Sequence, residues 1–493
     1  MSSLLEYQHF YLVGIKGVAL TALAQCLLDA GKSVRGSDVA EEFVTQRILD
    51  QRGVVIDTSF TVEIPPETDC VIYTAAHQAQ QNPQVQAALA RQLPVLSHAQ
   101  ALGELFNQQQ GIAVCGVGGK STTSAMVAWI LQKLGLHPNF AIGVGDIPGL
   151  NKTGQWNQDG KYFVAEADEY VIDPSAPSRG EEITPRFSFL QPFVTICTNL
   201  RHDHPDVYPT FADTKTYFGR FFDQIKAGGF LVANLADQET IETMRFWQTE
   251  NERQIAWFGQ TADGGDATEL TPADHPTFLL DTDTFFSENG QTSCVLLAPH
   301  LNFSGRLSLQ LPGMYNLLNA AAAVAACSLL GIDPSQAINA LADFRSTLRR
   351  SQFVGEKRGV RYYDDYGHHP HEVANVIHAY RQWFPDRKLV VAFQSHTFSR
   401  TRQFFNEFVD AFAEASQVVM IDIFPSAREA FDPTISSDQL CQAITQKYPT
   451  IPARNYKTLE KLAEFCTTEL HPGDVVLTLG AGDIYQVYDL IPA

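Results

Sequence analysis

The run from Ile112 to Thr123 has the residue types and spacing of a phosphate-binding loop. Its apolar start, Ile112–Cys115, predicts a buried strand, and the glycines after it let the backbone approach a ligand closely. A helix predicted over Ser121–Leu134 would point backbone N–H groups at a phosphate, while Lys120 adds a positive charge and the Ser121 hydroxyl suits Mg²⁺. The candidate phosphate-binding residues are Gly116, Gly118, Gly119, Lys120, Ser121 and Thr122.

The loop is shorter than the full Walker pattern, because Val114 stands where that pattern has its first glycine. An ordinary glycine-rich turn between a strand and a helix is the alternative interpretation. The Lys-Ser-Thr-Thr string at the predicted helix start favours phosphate binding over that alternative.

Acidic and imidazole side chains follow two further predicted strands. Glu166 ends the first of them, and the second, Phe193–Cys197, is followed by Asp203, His204 and Asp206. Carboxyl ends of parallel strands face the ligand crevice of an α/β sheet. Oxygen and imidazole ligands beside a phosphate loop favour metal binding and phosphoryl chemistry over solvated loops.

The first forty residues predict a second nucleotide site. Gly14 and Gly17 form a turn between a strand and the apolar helix predicted over Val18–Ala30, and Ser37 and Asp38 end the next strand. An acid about 20 residues beyond a glycine-rich turn is the layout of a Rossmann-like nucleotide-binding half.

A third polar cluster lies near the C-terminal end. A predicted strand runs into Asp365–Pro370, where two aspartates stand beside two histidines, and Arg400 follows another strand. Such a cluster does not suit a hydrophobic core. Arg349 follows a predicted helix, where it is either a solvated helix end or a phosphate ligand.

We predict an α/β fold with three domains. A Rossmann-like domain covers residues 1–108, a central P-loop ATPase-like α/β domain covers 109–350, and a Rossmann-like α/β domain covers 351–493. Short alternating runs between 268 and 311 predict antiparallel strands within the central domain. A chain of 493 residues is too long for one core.

Composition narrows the class of protein. A net charge of −20 argues against binding to nucleic acid or to anionic membranes. The eight cysteines are scattered without a Cys-x-x-Cys pair, which indicates reduced thiols. We find no signal peptide and no membrane span, so we expect a cytoplasmic protein. We also expect a monomer or a weak homodimer.

Several strings together resemble the Mur ligases over the whole chain. They are Gly-Val-Gly-Gly-Lys-Ser-Thr-Thr, Glu166–Glu169, Asn199–His204, Asn316-x-x-Asn319, Asp365–Pro370 and Gly480–Ile484. Within the family the chain is most similar to the branch that joins L-alanine to UDP-N-acetylmuramate. The resemblance implies a peptidoglycan-synthesis ligase that uses ATP and Mg²⁺, in which ATP phosphorylates the muramoyl carboxylate and an amine then displaces the phosphate.

The resemblance also implies roles for individual residues. Lys120, Glu166, His204 and His368 would be catalytic. Ser121, Glu166 and His204 would bind Mg²⁺, with Glu166 and His204 sharing one ion. It implies that ATP is bound by the phosphate loop, Asn316, Asn319, Arg349 and Asp365. The UDP-sugar would be bound by Gly14, Gly17, Ser37 and Asp38. The amino acid would be bound by Tyr366, His368 and Arg400.

The chain departs from the family pattern at a few positions. The phosphate loop has Val117 and Gly118 where Thr-His is usual, Thr397 replaces an arginine, and Tyr315 replaces a histidine. The string Glu166–Tyr170 also resembles a recycling relative that attaches a tripeptide to the same UDP-sugar. A peptide or another amino acid as acceptor therefore stays open, as does an inactive nucleotide-binding sensor or partner protein, which the retained Lys120 disfavours.

Overall fold

The structure is a computed structural model. It describes residues 3–176, 179–204, 207–248, 254–261, 275–288, 290–425, 429 and 431–492. Contacts divide the described chain into two compact units. The first comprises Met1–Thr284, Cys294–Leu307 and Leu318–Phe344, and the second comprises Phe285–Ser293, Ser308–Leu317 and Arg345–Ala493.

The first sheet is parallel and has the order β3-β2-β1-β4-β5. Its strands are β1 (His9–Val13), β2 (Ser33–Ser37), β3 (Val55–Asp57), β4 (Cys70–Tyr73) and β5 (Val95–Ser97). The helices of this region are α1 (Val18–Asp29), α2 (Gln46–Gln51), α3 (Pro83–Ala90) and α4 (His98–Phe106). Strands β1 and β4 are buried along most of their length, which explains their continuous apolar character.

The second sheet has the order β15-β14-β13-β12-β11-β10-β6-β9-β7-β8. Its strands are β6 (Gln110–Cys115), β7 (Asn139–Ala141), β8 (Gly154–Gln155), β9 (Tyr162–Glu166), β10 (Val194–Cys197), β11 (Phe230–Asn234), β12 (Gln254–Gln260), β13 (Thr277–Glu288), β14 (Gln291–Ala298) and β15 (Phe303–Leu309). The helices are α5 (Lys120–Lys133), α6 (Phe211–Phe222), α7 (Gln238–Gln248), α8 (Met314–Leu329) and α9 (Pro334–Leu341). Strand β6 lies between β9 and β10 and pairs in parallel with both. The loop that follows β6 therefore lies beside the residues that follow β9 and β10, at the carboxyl ends of the three strands.

The third sheet has the order β16-β17-β21-β18-β19-β20, parallel except for the β16–β17 pair. Its strands are β16 (Gln352–Lys357), β17 (Val360–Asp365), β18 (Leu389–Phe393), β19 (Gln417–Ile421), β20 (Ala453–Lys457) and β21 (Val475–Leu479). The helices are α10 (Pro370–Trp383), α11 (Phe398–Gln403), α12 (Phe405–Ala411), α13 (Ser437–Lys447), α14 (Leu459–Thr468) and α15 (Val487–Leu490). The loops after β17, β18 and β21 therefore lie side by side.

Within the first unit, α1 packs closely against the β7–β8 pair. A Cβ atom on Gly154 would lie 1.9 Å from the carbonyl oxygen of Ala22, so this helix approaches the strand at a distance that only glycine allows. Gln25 donates from Nε2 to the Thr153 hydroxyl and accepts from the Thr153 N–H. These contacts join the Rossmann-like region to the phosphate-loop region as one packed body.

The predicted α/β class is confirmed, and differences are local. The region 268–311, predicted to form antiparallel strands, contains β13, β14 and β15, and β13 also pairs in parallel with β12, which precedes that region. Residues 268–274 lie outside the described residues. The predicted domain boundaries at 108 and 350 stay predictions. Among the described helices, none combines the length and the apolar character needed to cross a membrane.

Candidate functional site

The phosphate loop follows β6 and ends at α5, as its sequence predicts. Gly116 and Gly119 have φ of 118° and 84°, a region that favours glycine. A Cβ atom on Gly119 would lie 2.6 Å from the Asn319 side-chain oxygen. The loop therefore needs glycine at this position for both its backbone conformation and its packing against Asn319. The role of Asn319 in an ATP site stays a prediction.

Lys120 is held at the mouth of the loop. Its Nζ donates to the carbonyl of Gly116 at 2.6 Å and to the two carboxylate oxygens of Glu169 at 3.2 and 3.0 Å. Burial lowers the pKa of Lys120, but the negative charges of Glu169, Asp168 and Glu166 together outweigh burial, and the net pKa is raised. The ammonium group is thus charged and has an acidic partner that the sequence did not identify.

Asn199 fixes the shape of the loop from the end of the neighbouring strand β10. Its Oδ1 accepts from the backbone N–H groups of Val117 and Gly118 at 3.1 and 3.0 Å. Its Nδ2 donates to the Gly118 carbonyl at 2.9 Å, and the Thr198 hydroxyl donates to the same carbonyl at 2.6 Å. Sequence reasoning named no role for Asn199, although its position directly after a buried parallel strand was a usable signal.

Glu166 lies beside the first turn of α5. Its carboxylate accepts from the Ser121 hydroxyl at 3.1 Å and from the Gly143 N–H at 2.8 Å. Burial raises the pKa of Glu166, although Lys120 and these hydrogen bonds act in the opposite direction. A Cβ atom on Gly143 would lie 3.5 Å from Glu166 and 3.7 Å from Val18 in the first turn of α1. The phosphate loop and the start of α1 therefore border the same small region.

Two further carboxylates, those of Glu169 and Asp203, lie beside His204. Glu169, Asp203 and His204 each offer a ligand atom, and these atoms lie within 4.8 Å of one another. Burial raises the pKa of Glu169, against the lowering effect of Lys120. Asp206, which we predicted to join this cluster, lies outside the described residues.

The donor set fits a magnesium ion. Carboxylate and hydroxyl oxygens are its usual ligands, and the pair of Glu166 with Ser121 and the trio around His204 supply them beside a phosphate loop. The structure groups His204 with Glu169, whereas Glu166 pairs with Ser121. The implied sharing of one ion by Glu166 and His204 stays a prediction.

The glycine-rich turn near the N-terminus leads directly into α1. The N–H of Gly14 donates to the Ser37 carbonyl at 2.8 Å, and the Gly17 N–H donates to the Gly14 carbonyl at 3.1 Å. The hydroxyl of Ser37 is buried and donates to Gln84, so this side chain supports the turn from within the fold. The Asp38 carboxylate accepts from the Lys16 N–H at 2.8 Å, which ties the ends of β1 and β2 together.

In the second unit, Asp365 and Arg349 organise the loop after β17. The Asp365 carboxylate accepts from the N–H groups of Ser351 and Gly367 at 2.7 and 2.8 Å. Arg349 donates to Asp364 at 3.0 Å. It also donates to the carbonyls of Gly480 and Gly482 at 2.6 and 3.0 Å, so it joins the loops after β17 and β21.

The predicted amino-acid residues lie near one another in the second unit. The rings of Tyr366 and His368 are 5.3 Å apart, and those of His368 and His396 are 6.4 Å apart. Burial lowers the pKa of His368, the positive charge of Arg400 acts in the same direction, and Glu372 opposes both. The imidazole is therefore neutral at neutral pH.

The structure thus brings the predicted residues together in two groups, one in each unit. The first unit contains the phosphate loop, Glu166, His204, Asn319 and the Gly14 turn. The second contains Asn316, Arg349, Asp365, Tyr366, His368 and Arg400. Asn316 donates from Nδ2 to the Pro312 carbonyl at 2.8 Å at the start of α8.

Two bacterial relatives are similar to this chain over nearly its whole length. The UDP-N-acetylmuramate–L-alanine ligase of Chloroflexus aggregans is 35% identical over an alignment of 492 residues, and the alignment covers 98% of each chain. The enzyme of the same name from Desulfitobacterium hafniense is 32% identical over 489 residues, or 97% of this chain and 98% of the relative.

Solved structures have the same fold. The UDP-N-acetylmuramate–alanine ligase of Thermotoga maritima has a TM-score of 0.76 at 23% identity and covers 98% of each chain. A murein peptide ligase from Psychrobacter arcticus has a TM-score of 0.65 at 20% identity, covering 98% of this chain and 97% of that chain.

Family models account for most of the chain. Residues 9–110 match the model of the Mur ligase family, catalytic domain. Residues 114–327 match the Mur ligase middle domain, and residues 349–482 match the Mur ligase, glutamate ligase domain. With relatives above 30% identity along the full length, the chain belongs to the Mur ligase family.

Proposed function

We propose that this chain joins L-alanine to the carboxylate of UDP-N-acetylmuramate, with conversion of ATP to ADP and phosphate, as a step of peptidoglycan synthesis. The observation that carries the proposal is the pairing of Lys120 with Glu169 beside Ser121 and Glu166, in a chain whose relatives of that name match it from end to end. Charged groups gathered at a phosphate loop suit transfer of a phosphoryl group.

Residues of the first unit bind ATP and position the muramoyl carboxylate for attack on its γ-phosphate. The N–H groups at the start of α5 and the Lys120 side chain bind the β- and γ-phosphates, and a carboxylate oxygen of the muramoyl group attacks the γ-phosphorus while ADP leaves. Ser121 and Glu166, with His204 and its acidic neighbours, would hold Mg²⁺, which neutralises charge on the transferring phosphoryl group. The Gly14 turn and α1 bind the UDP part and so hold the carboxylate beside Glu166.

Residues of the second unit serve the acceptor amine. The ammonium group of L-alanine loses a proton, for which the neutral imidazole of His368 is a suitable acceptor. The amine nitrogen then attacks the acyl carbon, the C–O bond to phosphate breaks, and an amide and inorganic phosphate result. Tyr366 and Arg400 contact the acceptor, and Arg400 supplies a positive charge for its carboxylate.

An acceptor panel tests the proposal. Purified protein with ATP, MgCl₂ and UDP-N-acetylmuramate is assayed for phosphate release with L-alanine, glycine, L-serine, D-alanine and the tripeptide L-alanyl-γ-D-glutamyl-meso-diaminopimelate. We expect release that depends on L-alanine, and a product whose mass equals that of UDP-N-acetylmuramoyl-L-alanine.

Other outcomes identify the alternatives. Release with the tripeptide alone would replace L-alanine by a peptide acceptor, which the string Glu166–Tyr170 favours. No release with any acceptor, from protein that still binds ATP, would instead indicate a nucleotide-binding protein without ligase activity.

A further inference from the structure

The loop after β4 has an unusual backbone. His77, Gln78 and Ala79 are three consecutive residues with positive φ, at 54°, 69° and 46°. Each such residue costs free energy and persists only where the surrounding structure enforces it, and such residues concentrate at ligand-binding positions. Asn82 enforces the turn, because its Nδ2 donates to the His77 carbonyl at 3.1 Å while its Oδ1 caps α3 at the N–H of Gln84.

This turn places His77 at the switch point of the first sheet. The chain leaves β1 toward β2 on one side, and β4 lies on the other side, so the crevice of this sheet opens between the loops after β1 and β4. A Cβ atom on Gly14 would lie 3.4 Å from His77 Cδ2. His77 therefore covers the turn that leads into α1.

The His77 ring has a fixed position and an unused hydrogen-bonding atom. The Phe60 ring packs on it with centroids 4.7 Å apart. Nε2 lies 3.5 Å from an Asp38 carboxylate oxygen, too far for a strong hydrogen bond. Asp38 has its own partners, the N–H groups of Lys16 and Val39, each at 2.8 Å. The imidazole, with 27% of its side chain exposed, is thus not required to satisfy Asp38.

We propose that His77 is a binding residue for the nucleoside diphosphate part of the sugar nucleotide, donating from its ring to the diphosphate held at the Gly14 turn. This assignment rests on the proposed function, since it takes the UDP-sugar as the ligand of this crevice. Phe60 holds the ring in place, and the left-handed turn keeps it over the glycines. His77 therefore contributes to recognition of the sugar nucleotide and not to the phosphoryl transfer at Lys120.

The replacement His77→Asn tests the role of the ring with little change to the backbone, because asparagine tolerates positive φ better than most residues. We expect the KM for UDP-N-acetylmuramate to rise about tenfold, the size of one lost hydrogen bond to a charged group. Calorimetry with UDP alone should show a similar loss of affinity. The KM for ATP and kcat should stay within about twofold of the unmodified enzyme.

His137→Asn is the matched control, because His137 is an exposed histidine with positive φ, at 43°, in the segment between α5 and β7. Unchanged binding of UDP and of UDP-N-acetylmuramate by His77→Asn would overturn the assignment while leaving the proposed function intact. A rise in the KM for ATP equal to that for the sugar nucleotide would also overturn it, since that result indicates a general structural effect. Absence of ligase activity in the unmodified enzyme would instead contradict the proposed function, and UDP calorimetry would still test His77.

Discussion

Lys120→Ala is expected to lower the rate of ATP-dependent phosphate release by about a thousandfold. The side chain is the cation at the mouth of the phosphate loop, and its ammonium group is charged because the carboxylates around it, Glu169 foremost, raise its pKa against the effect of burial. In its absence, the negative charge that develops on the transferring phosphoryl group loses a close counter-charge. Glu169 would also remain buried without a cation, which adds an unfavourable charge to the site.

Binding of the sugar nucleotide should survive this change, because the Gly14 turn lies between other elements, β1 and α1, and is held by its own hydrogen bonds to Ser37. Calorimetry with UDP-N-acetylmuramate measures that binding, and a continuous phosphate assay measures turnover. Lys133→Ala is the matched control, since Lys133 is in the last turn of the same helix with 44% of its side chain exposed. A Lys120→Ala enzyme with more than a tenth of the normal rate would remove Lys120 from the catalytic group.

Glu166→Gln is expected to reduce turnover by a factor between about a hundred and a thousand. The amide has the shape of the carboxylate. Its oxygen can accept from the Gly143 N–H while its NH₂ group donates to the Ser121 hydroxyl oxygen, so the fold around it should be retained. The replacement removes one negative charge from a set of oxygen ligands that fits Mg²⁺. We therefore expect the variant to need a higher magnesium concentration for half-maximal rate, in addition to its lower maximal rate.

A magnesium titration of phosphate release measures both effects. Glu464→Gln, on the exposed face of α14, controls for the substitution itself and should behave as the unmodified enzyme. A normal magnesium dependence with a normal rate in Glu166→Gln would contradict a role for Glu166 as a metal ligand. Circular dichroism of both variants distinguishes loss of activity from loss of fold.

Local sequence signals were sufficient for the elements that position the site. The helix predicted over Ser121–Leu134 is α5, Lys120–Lys133, because the glycines before Lys120 cannot extend a helix and the apolar residues after it have helical spacing. The helix predicted over Val18–Ala30 is α1, Val18–Asp29, for the same reasons. Both glycine turns were located correctly because positive φ and close approach restrict the residue to glycine.

Partners of the site residues could not be predicted, because they come from segments far apart in sequence. Glu169 pairs with Lys120 across 49 positions, and Asn199 reaches Val117 across 82. Residue spacing in the sequence does not indicate either contact, because each contact depends on which strands become neighbours in the sheet. Arg349 shows the same limit. The position of Arg349 after a predicted helix allowed it to be a phosphate ligand or a solvated helix end. In the structure, its guanidinium donates to Asp364 and to two loop carbonyls.

The most direct test of the account follows oxygen from the substrate. UDP-N-acetylmuramate labelled with ¹⁸O in its lactyl carboxylate is converted with ATP, MgCl₂ and L-alanine, and the inorganic phosphate is examined by mass spectrometry. Attack of the carboxylate on ATP followed by displacement of phosphate by the amine predicts that one ¹⁸O atom from the carboxylate is found in each phosphate derived from fully labelled substrate. Unlabelled phosphate, released together with an amide product, would contradict activation of the carboxylate by phosphoryl transfer.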